Sequence, residues 1–90
     1  MKSPVFAVEF APAAVRDLKR LDPNVRQQLL HAGKILAETP YPAQSGRIKM
    51  LVGIRPIHFC LRVGEYRIVY RIENQKVIII RVAHRKEVYR

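Results

Sequence analysis

Apolar and polar residues alternate at the start of the chain and then change to helical spacing. Residues 4–10, PVFAVEF, alternate with one clearly apolar face, which predicts a short strand. In residues 11–21 and again in residues 24–38, apolar positions recur every three or four residues. Asp22 and Pro23 between them suit the cap and first turn of a helix. The pattern therefore predicts a strand followed by an antiparallel pair of helices.

Strand-like alternation returns in the second half of the chain. Residues 39–46, TPYPAQSG, hold two prolines and a glycine without periodicity and predict a loop. Three predicted strands follow, IHFCLRV at 57–63, YRIVYRI at 66–72 and KVIIIRVA at 76–83, joined by short turns. The fold class is therefore predicted as α+β, with order β-α-α-β-β-β and one domain over residues 1–90. Two helices would pack on one face of a small, mainly antiparallel twisted sheet.

The second turn sets a predicted register for the last two strands. If Asn74 and Gln75 form the turn, Glu73 pairs with Lys76. The residue numbers of every other pair in the hairpin then add up to the same total. The same register places Arg67 opposite Val82 and diagonal to His84. Arg67 and His84 are therefore predicted to share one face of the sheet.

The charge of the chain narrows the classes of partner. The formal net charge is +10, and residues 46–90 hold eleven Lys and Arg against three acids, compared with six against four in residues 1–45. A surplus of this size, concentrated in one half, favours a polyanionic partner such as nucleic acid over simple solubility. The single Cys60 and the short apolar runs predict a cytoplasmic protein with no membrane span and no structural zinc site. No cofactor and no metal site are expected.

Cationic and aromatic residues converge where the last strand ends. The last ten residues read RVAHRKEVYR, and the predicted register brings Arg67 and Arg71 to the same side as the groups of this tail. One interpretation is that these cations only discourage association between sheet edges and that Tyr89 packs on the core. The other is a phosphate-binding site, since an arriving anion would relieve the mutual repulsion of the cations. The convergence of at least five groups favours the second.

Three segments together carry a family likeness. FAPAAVRDLKRLDPNVRQQL, LRVGEYRIVYRI and VIIIRVAHRKEVYR, in this order, resemble the RelE/ParE superfamily of toxin-antitoxin toxins over essentially the whole chain. RelE-like members are ribosome-dependent endoribonucleases that cut messenger RNA, whereas ParE-like members share the fold but poison DNA gyrase. The resemblance favours the RelE-like branch and implies a metal-independent endoribonuclease that inhibits translation.

The resemblance also implies roles for individual residues. Arg67 and Arg85 would stabilise charge on the phosphate, and Tyr89 would act as general base. His84 is a competing candidate for the base on chemical grounds, because histidine side chains in general exchange protons near neutral pH. Two lysines of the best-studied RelE type fall at His58 and Cys60 in this chain, which leaves the identity of the base open. The cations expected to hold RNA are Lys49, Arg55, Arg62, Arg71 and Lys86.

The expected partners follow from the same resemblance. They are the ribosome with its messenger RNA and a cognate RelB-like antitoxin, which would form a hetero-oligomer and cover the cationic surface with an acidic or amphipathic segment. Two alternatives remain open at this point. One is a gyrase inhibitor without nuclease activity, and the other is an inactive RNA-binding relative.

Overall fold

The chain forms two helices and a five-stranded sheet. The computed structural model describes residues 5–53 and 55–86. In chain order its elements are β1 (Ala7–Phe10), α1 (Pro12–Lys19), α2 (Pro23–Ile35), a 3-10 turn (Pro42–Gln44), β2 (Ile48–Leu51), β3 (His58–Val63), β4 (Tyr66–Glu73) and β5 (Lys76–His84). The strands lie in the order β1-β5-β4-β3-β2, with β1 parallel to β5 and the other pairs antiparallel. The predicted α+β class is confirmed.

One strand was not predicted. β2 pairs with β3 along the edge of the sheet, from Ile48 opposite Leu61 to Leu51 opposite His58. The hydrophobic pattern of this segment does not indicate a strand, because Ile48 is buried while Met50, on the same face, is 54% exposed. An edge strand of four residues with a half-exposed apolar side chain shows no clear period of two. The prediction of three strands after the helices was therefore incomplete.

The helices and one face of the sheet enclose the core. The buried cluster joins Ala14 and Leu18 of α1 and Leu29 of α2 to strand residues of β2 to β5. Gly33 allows α2 to approach β5, because a Cβ there would lie only 3.1 Å from Cδ1 of Ile79. Among the described residues, no helix has both the length and the hydrophobicity needed to cross a membrane. The sheet therefore has a helix face, which is buried, and an outer face.

A β-bulge changes the predicted register. The pairs from Glu73–Lys76 to Tyr70–Ile79 are as predicted, but a shift between Val69 and Tyr70 then inserts one extra residue into β5. Arg67 consequently lies opposite Ala83 and not opposite Val82. Because directly paired residues share a face, His84, opposite Tyr66, lies on the other face from Arg67. The predicted placement of Arg67 and His84 on one face was wrong.

The carboxylate of Asp17 on α1 supports the bulge. Its Oδ2 accepts hydrogen bonds from the backbone N–H of Val82 at 2.9 Å and from Nε of Arg81 at 2.8 Å, and Oδ1 accepts from Nη2 of Arg81 at 3.2 Å. β1 pairs with β5 only as far as Ile79, so this part of β5 lies beyond its neighbour. A contact between residues 64 positions apart is invisible to local patterning.

Candidate phosphate-binding site

The outer face has two ends with different chemistry. The β3–β4 turn end contains the turn at Gly64 and Glu65 together with the end of β5, and the β4–β5 turn end contains the turn at Asn74 and Gln75. Asn74 and Gln75 both have positive φ angles, 50° and 63°, as a two-residue hairpin turn requires. Strand alternation brings Arg67 of β4 to the outer face near the first of these ends.

A cationic cavity lies at the β3–β4 turn end. It has a volume of about 60 Å³, and its lining joins side chains from β3 and β4 to residues at the start of β2. Cys60 forms part of the lining and is only 3% exposed although it points away from the helices. Within the described part of the chain, no lining residue is acidic. The residues that define the cationic cavity are Gly46, Arg47, Lys49, Cys60, Arg62 and Arg67.

Two arginines on neighbouring strands lie side by side at this cavity. Arg62 of β3 pairs with Arg67 of β4, and like charges at opposed positions destabilise a sheet. The backbone N–H of Arg62 donates to Arg47 O at 2.9 Å, which fixes a third arginine beside the pair. A planar guanidinium stays charged and offers paired donors to phosphate oxygens. A bound phosphate would turn the repulsion between these side chains into attraction.

Glu65 holds two further predicted site residues at the same end of the sheet. Its Oε2 lies 3.0 Å from Nε of Arg85 and 3.6 Å from Nε2 of His84. The Arg85 N–H donates to Glu65 O at 2.7 Å, which extends the β4–β5 ladder by one pair. Alternation along that ladder returns Arg85 to the face of Arg67. The two predicted phosphate ligands therefore lie toward one side of the sheet, with Arg85 held by a carboxylate.

The contacts of His84 define which nitrogen carries its proton. Nδ1 accepts the backbone N–H of Lys86 at 3.3 Å, so in the neutral ring the proton is on Nε2, which faces Glu65. The ring also packs edge-on against Tyr66, with centroids 5.5 Å apart. In this arrangement neither nitrogen offers a free lone pair. In this tautomer the neutral ring of His84 offers a hydrogen-bond donor at Nε2 and no free acceptor.

Two predicted RNA ligands lie away from the cavity. Arg71 is on the outer face but at the β4–β5 turn end, where its Nε is 3.6 Å from Oε2 of Glu73. Arg55 is exposed in the loop between β2 and β3. His58, near that loop, donates from Nδ1 to Pro56 O at 2.6 Å. The structure thus separates these groups from Arg67 and does not gather every predicted cation in one place.

Comparison with known proteins decides the family. A model for the ParE toxin of the type II toxin-antitoxin system, parDE, matches residues 8–89. The chain belongs to this family. Toxin RelG of Mycobacterium tuberculosis is 33% identical over 88 residues, which cover 94% of this chain and 97% of the relative. The resemblance to the RelE/ParE superfamily is thereby confirmed, and the protein is a toxin of a toxin-antitoxin system.

Solved structures of related toxins share the fold of this RelE/ParE toxin. The toxin-antitoxin complex RelBE2 of Mycobacterium tuberculosis matches with a TM-score of 0.77 and 30% identity, over 89% of this chain and 98% of the solved one. The archaeal RelE-RelB complex of Pyrococcus horikoshii matches with a TM-score of 0.76 over 93% and 99% of the two chains. Its 21% identity supports the fold alone.

In this RelE/ParE toxin, the predicted site residues fall into groups. Arg67, Arg62 and Lys49 line the cationic cavity, while Arg85 and His84 contact Glu65. Lys86 is exposed and contacts His84 through its backbone, and Tyr89 lies outside the described residues.

Sequence reasoning missed two residues of the candidate site. Arg47 was missed because β2 was not recognised, although its position before the IKML segment was the available signal. Glu65 was treated only as a turn residue. Its negative charge, opposite the cationic tail across β4 and β5, could have marked it as the partner of Arg85.

Proposed function

We propose that this toxin is a RelE-like endoribonuclease that cuts messenger RNA on the ribosome. The observation that carries the proposal is the cationic cavity, in which Arg62 and Arg67 oppose each other without an acidic lining residue in the described part of the chain. Repulsion of this kind is tolerated where an anion binds. The phosphate of an RNA backbone supplies that anion.

The proposed reaction is attack of a ribose 2′-hydroxyl oxygen on the adjacent phosphorus. The new O2′–P bond forms as the bond to the 5′-oxygen breaks, and the products are a 2′,3′-cyclic phosphate and a 5′-hydroxyl. Arg67 and Arg85 would bind the phosphate oxygens and stabilise the charge that grows on them in the transition state. Arg85 can do so once its guanidinium exchanges the carboxylate of Glu65 for the phosphate.

The proton transfers are proposed to involve His84 and Tyr89. Glu65 contacts both His84 and Arg85 at this end of the sheet, and His84, in its imidazolium form, is proposed to protonate the leaving 5′-oxygen from Nε2. Tyr89 keeps the role of general base that the resemblance to RelE implies. Lys86 is proposed to favour the tyrosinate by its charge.

The proposed partners are the ribosome, its messenger RNA and a RelB-like antitoxin. The related RelBE2 toxin was solved as a toxin-antitoxin complex, which supports a hetero-oligomer of the same kind here. With a net charge of +10, this chain would attract an acidic antitoxin segment. Coverage of the cationic cavity by such a segment would exclude RNA.

A gyrase-directed function is the second candidate, because the matching family model is that of the ParE toxin. In that case the toxin would arrest growth by binding a protein, and the arginines of the cavity would have no phosphate to stabilise. The two functions predict different damage in the cell, namely cut messages or inhibited supercoiling.

Mapping of RNA ends tests the proposal. The toxin is expressed briefly, and 5′ ends are mapped on a message and on the same message without its start codon. Cuts within the reading frame of the translated message alone are expected. Cuts in both messages would indicate a free ribonuclease. Intact messages in arrested cells, together with loss of DNA supercoiling, would replace the nuclease by the gyrase inhibitor.

A further inference from the structure

The edge of the sheet formed by β2 is open to a further strand. β2 is the last strand in the order β1-β5-β4-β3-β2, so only one of its sides is paired. The N–H of Arg62 donates to Arg47 O at 2.9 Å, which sets the alternation of hydrogen bonds along this pair of strands. The N–H and C=O of Met50 consequently point away from β3, and neither has a backbone partner among the described residues. An unpaired edge of this kind can pair with another chain.

The two faces of this edge have different chemistry. Ile48 and Met50 lie on the helix face, because successive side chains of a strand alternate between the faces. Lys49 lies on the outer face, where it lines the cationic cavity together with Arg47. Residues 39–63, which include the whole of β2 and β3, contain four Lys and Arg and no acid. A strand that suits this edge is therefore apolar on one face and acidic on the other.

An apolar groove lies beside the edge on the helix face. It has a volume of about 120 Å³ between the end of α2 and the start of β2, with Ile35, Ile48 and Val63 in its lining. Ile35 is 48% exposed and Met50 is 54% exposed. Five of the seven large hydrophobic side chains that the described residues expose fall within residues 35–57. Such a concentration of exposed apolar side chains in one region marks an interaction surface.

We propose that the antitoxin adds to β2 an extended segment in which apolar and acidic residues alternate. The backbone of the segment pairs with the N–H and C=O of Met50, which is a general way for a sheet to bind a peptide. Its apolar side chains cover Met50 and enter the groove beside Ile48, since side chains two residues apart lie on one face. Its carboxylates lie on the outer face beside Lys49 and Arg47, because opposite charges on paired strands attract.

The charges of β2 favour an acidic segment over a second copy of the toxin. Two β2 strands that paired with each other would bring Lys49 of one copy close to the cations of the other. Like charges at paired positions destabilise a sheet, and cations on edge strands are a common protection against such pairing. An acidic segment removes this repulsion and gains the attraction.

Binding of the segment also explains how the toxin would be inhibited. Arg47 and Lys49 line the cationic cavity, so carboxylates beside them occupy cations that the RNA phosphate needs. The inference rests on the proposed function, because the antitoxin and the RNA are both proposed partners. Pairing of the segment with β2 is independent of whether the toxin cleaves RNA.

Peptides and the purified full-length toxin provide the first test. One capped peptide alternates glutamate with valine, and a second has the same composition in two blocks, so the two carry the same charge. Titrations followed by amide NMR shifts should show the alternating peptide binding about tenfold tighter, with slower hydrogen exchange at the Met50 N–H. Equal affinities would mean attraction by charge alone and would overturn the proposal. Slow exchange at Met50 that needs no peptide and rises with toxin concentration would assign the edge to a second copy instead.

Substitution of Met50 tests the backbone pairing. Met50→Pro removes the N–H that points away from β3, and proline is tolerated on the open side of an edge strand. Met50→Ala, the matched control, loses the same side chain but keeps the N–H. The proline variant should bind the alternating peptide about tenfold more weakly than the alanine variant. Equal binding by the two folded variants would refute strand addition.

Charge reversal tests the acidic face without touching the backbone. Lys49→Glu should weaken binding of the alternating peptide about tenfold. Lys19→Glu, at an exposed cation on α1, changes the net charge equally and should retain the affinity. Equal losses in these two variants would contradict the placement of the carboxylates beside Lys49.

Competition with RNA separates this proposal from the nuclease function. The alternating peptide should displace a short, uncleavable RNA from the toxin, because both need Lys49. Peptide binding that leaves the affinity for RNA unchanged would overturn inhibition by competition. Peptide binding at Met50 in a toxin that cleaves no message would refute the nuclease function and leave the pairing with β2 standing.

Discussion

Arg67 and Arg71 lie on one strand and one face, yet their surroundings differ completely. Arg67 is opposite Arg62 and lines a cavity with Arg47 and Lys49, whereas Arg71 forms an ion pair with Glu73 beside aromatic side chains. The number of cations on a surface therefore does not locate a phosphate site. The location depends on which cations lack a neighbouring carboxylate, and that depends on cross-strand neighbours.

Substitution of these two arginines should give the largest difference between the ends. Arg67→Ala should lower the rate of message cleavage on the ribosome by a factor of a hundred or more, since loss of one transition-state donor costs about 3 kcal/mol. Arg71→Ala, the matched control, should retain most of the rate. Single-turnover cleavage of a translated message measures both.

Measuring the stability of each variant distinguishes a loss of catalysis from a loss of folded protein. Arg67→Ala removes one member of a like-charge pair, so its free energy of unfolding in urea should be unchanged or higher. A variant with full activity would eliminate Arg67 as a phosphate ligand. Equal losses of activity in Arg67→Ala and Arg71→Ala would contradict the distinction between the two ends.

The second prediction tests whether Asp17 stabilises the backbone of β5 near the β3–β4 turn end. Asp17→Ala removes the acceptor for Val82 N–H and for Arg81, and charge-assisted hydrogen bonds of this kind contribute about 2 kcal/mol to stability. Thermal and urea unfolding should show a loss of that size. The control is Asp22→Ala, because Asp22 occupies a helix cap without a side-chain capping hydrogen bond. If both variants lose the same stability, Asp17 does not support the bulge.

Asp17 also illustrates what the sequence could predict. Helices, long strands and turns follow from patterns within a few residues, and these predictions were confirmed. The bulge depends on a carboxylate 65 positions from the N–H that it binds, and no local period contains that information. Since each inserted residue reverses the faces beyond it, one such contact was enough to misplace His84 relative to Arg67.

The candidate site was predictable to a similar degree. The excess of cations in the second half and the family likeness identified Arg67, Lys49 and Arg62, and these residues do line one cavity. The carboxylates that neutralise some of these cations were harder to predict, because the roles of Glu65 and Glu73 as ion-pair partners depend on turn geometry and on side-chain contacts. Arg71 was accordingly grouped with Arg67, although the carboxylate beside it changes its chemistry.

The third prediction concerns the support of the β4–β5 turn end. Burial, with a smaller contribution from nearby Cys60, raises the pKa of Tyr70 well above its usual range, so its hydroxyl stays protonated and donates to Pro40 O. Tyr70→Phe should lower the free energy of unfolding by about 1 kcal/mol near neutral pH. The pKa is raised in the folded state, so the contribution of the protonated hydroxyl is complete below about pH 10 and is lost at higher pH.

Urea unfolding at two pH values tests this assignment of Tyr70. The stability difference between Tyr70→Phe and the unmodified toxin should narrow above about pH 10, because only the tyrosine has a phenol that ionises on unfolding. A difference that stays constant through this range would indicate that the pKa of Tyr70 is not raised.

The smallest expected effect is on the salt dependence of RNA binding. Each phosphate contact to single-stranded RNA contributes about 0.7 to the slope of log affinity against log salt concentration. Lys49→Ala should reduce the slope by about that amount, because Lys49 lies in a cavity whose described lining residues include no acid. Arg71→Ala should change it less, since Glu73 already neutralises that guanidinium. Binding of a short, uncleavable RNA measured over a range of salt concentrations gives both slopes, and equal reductions would mean that Arg71 also contacts phosphate.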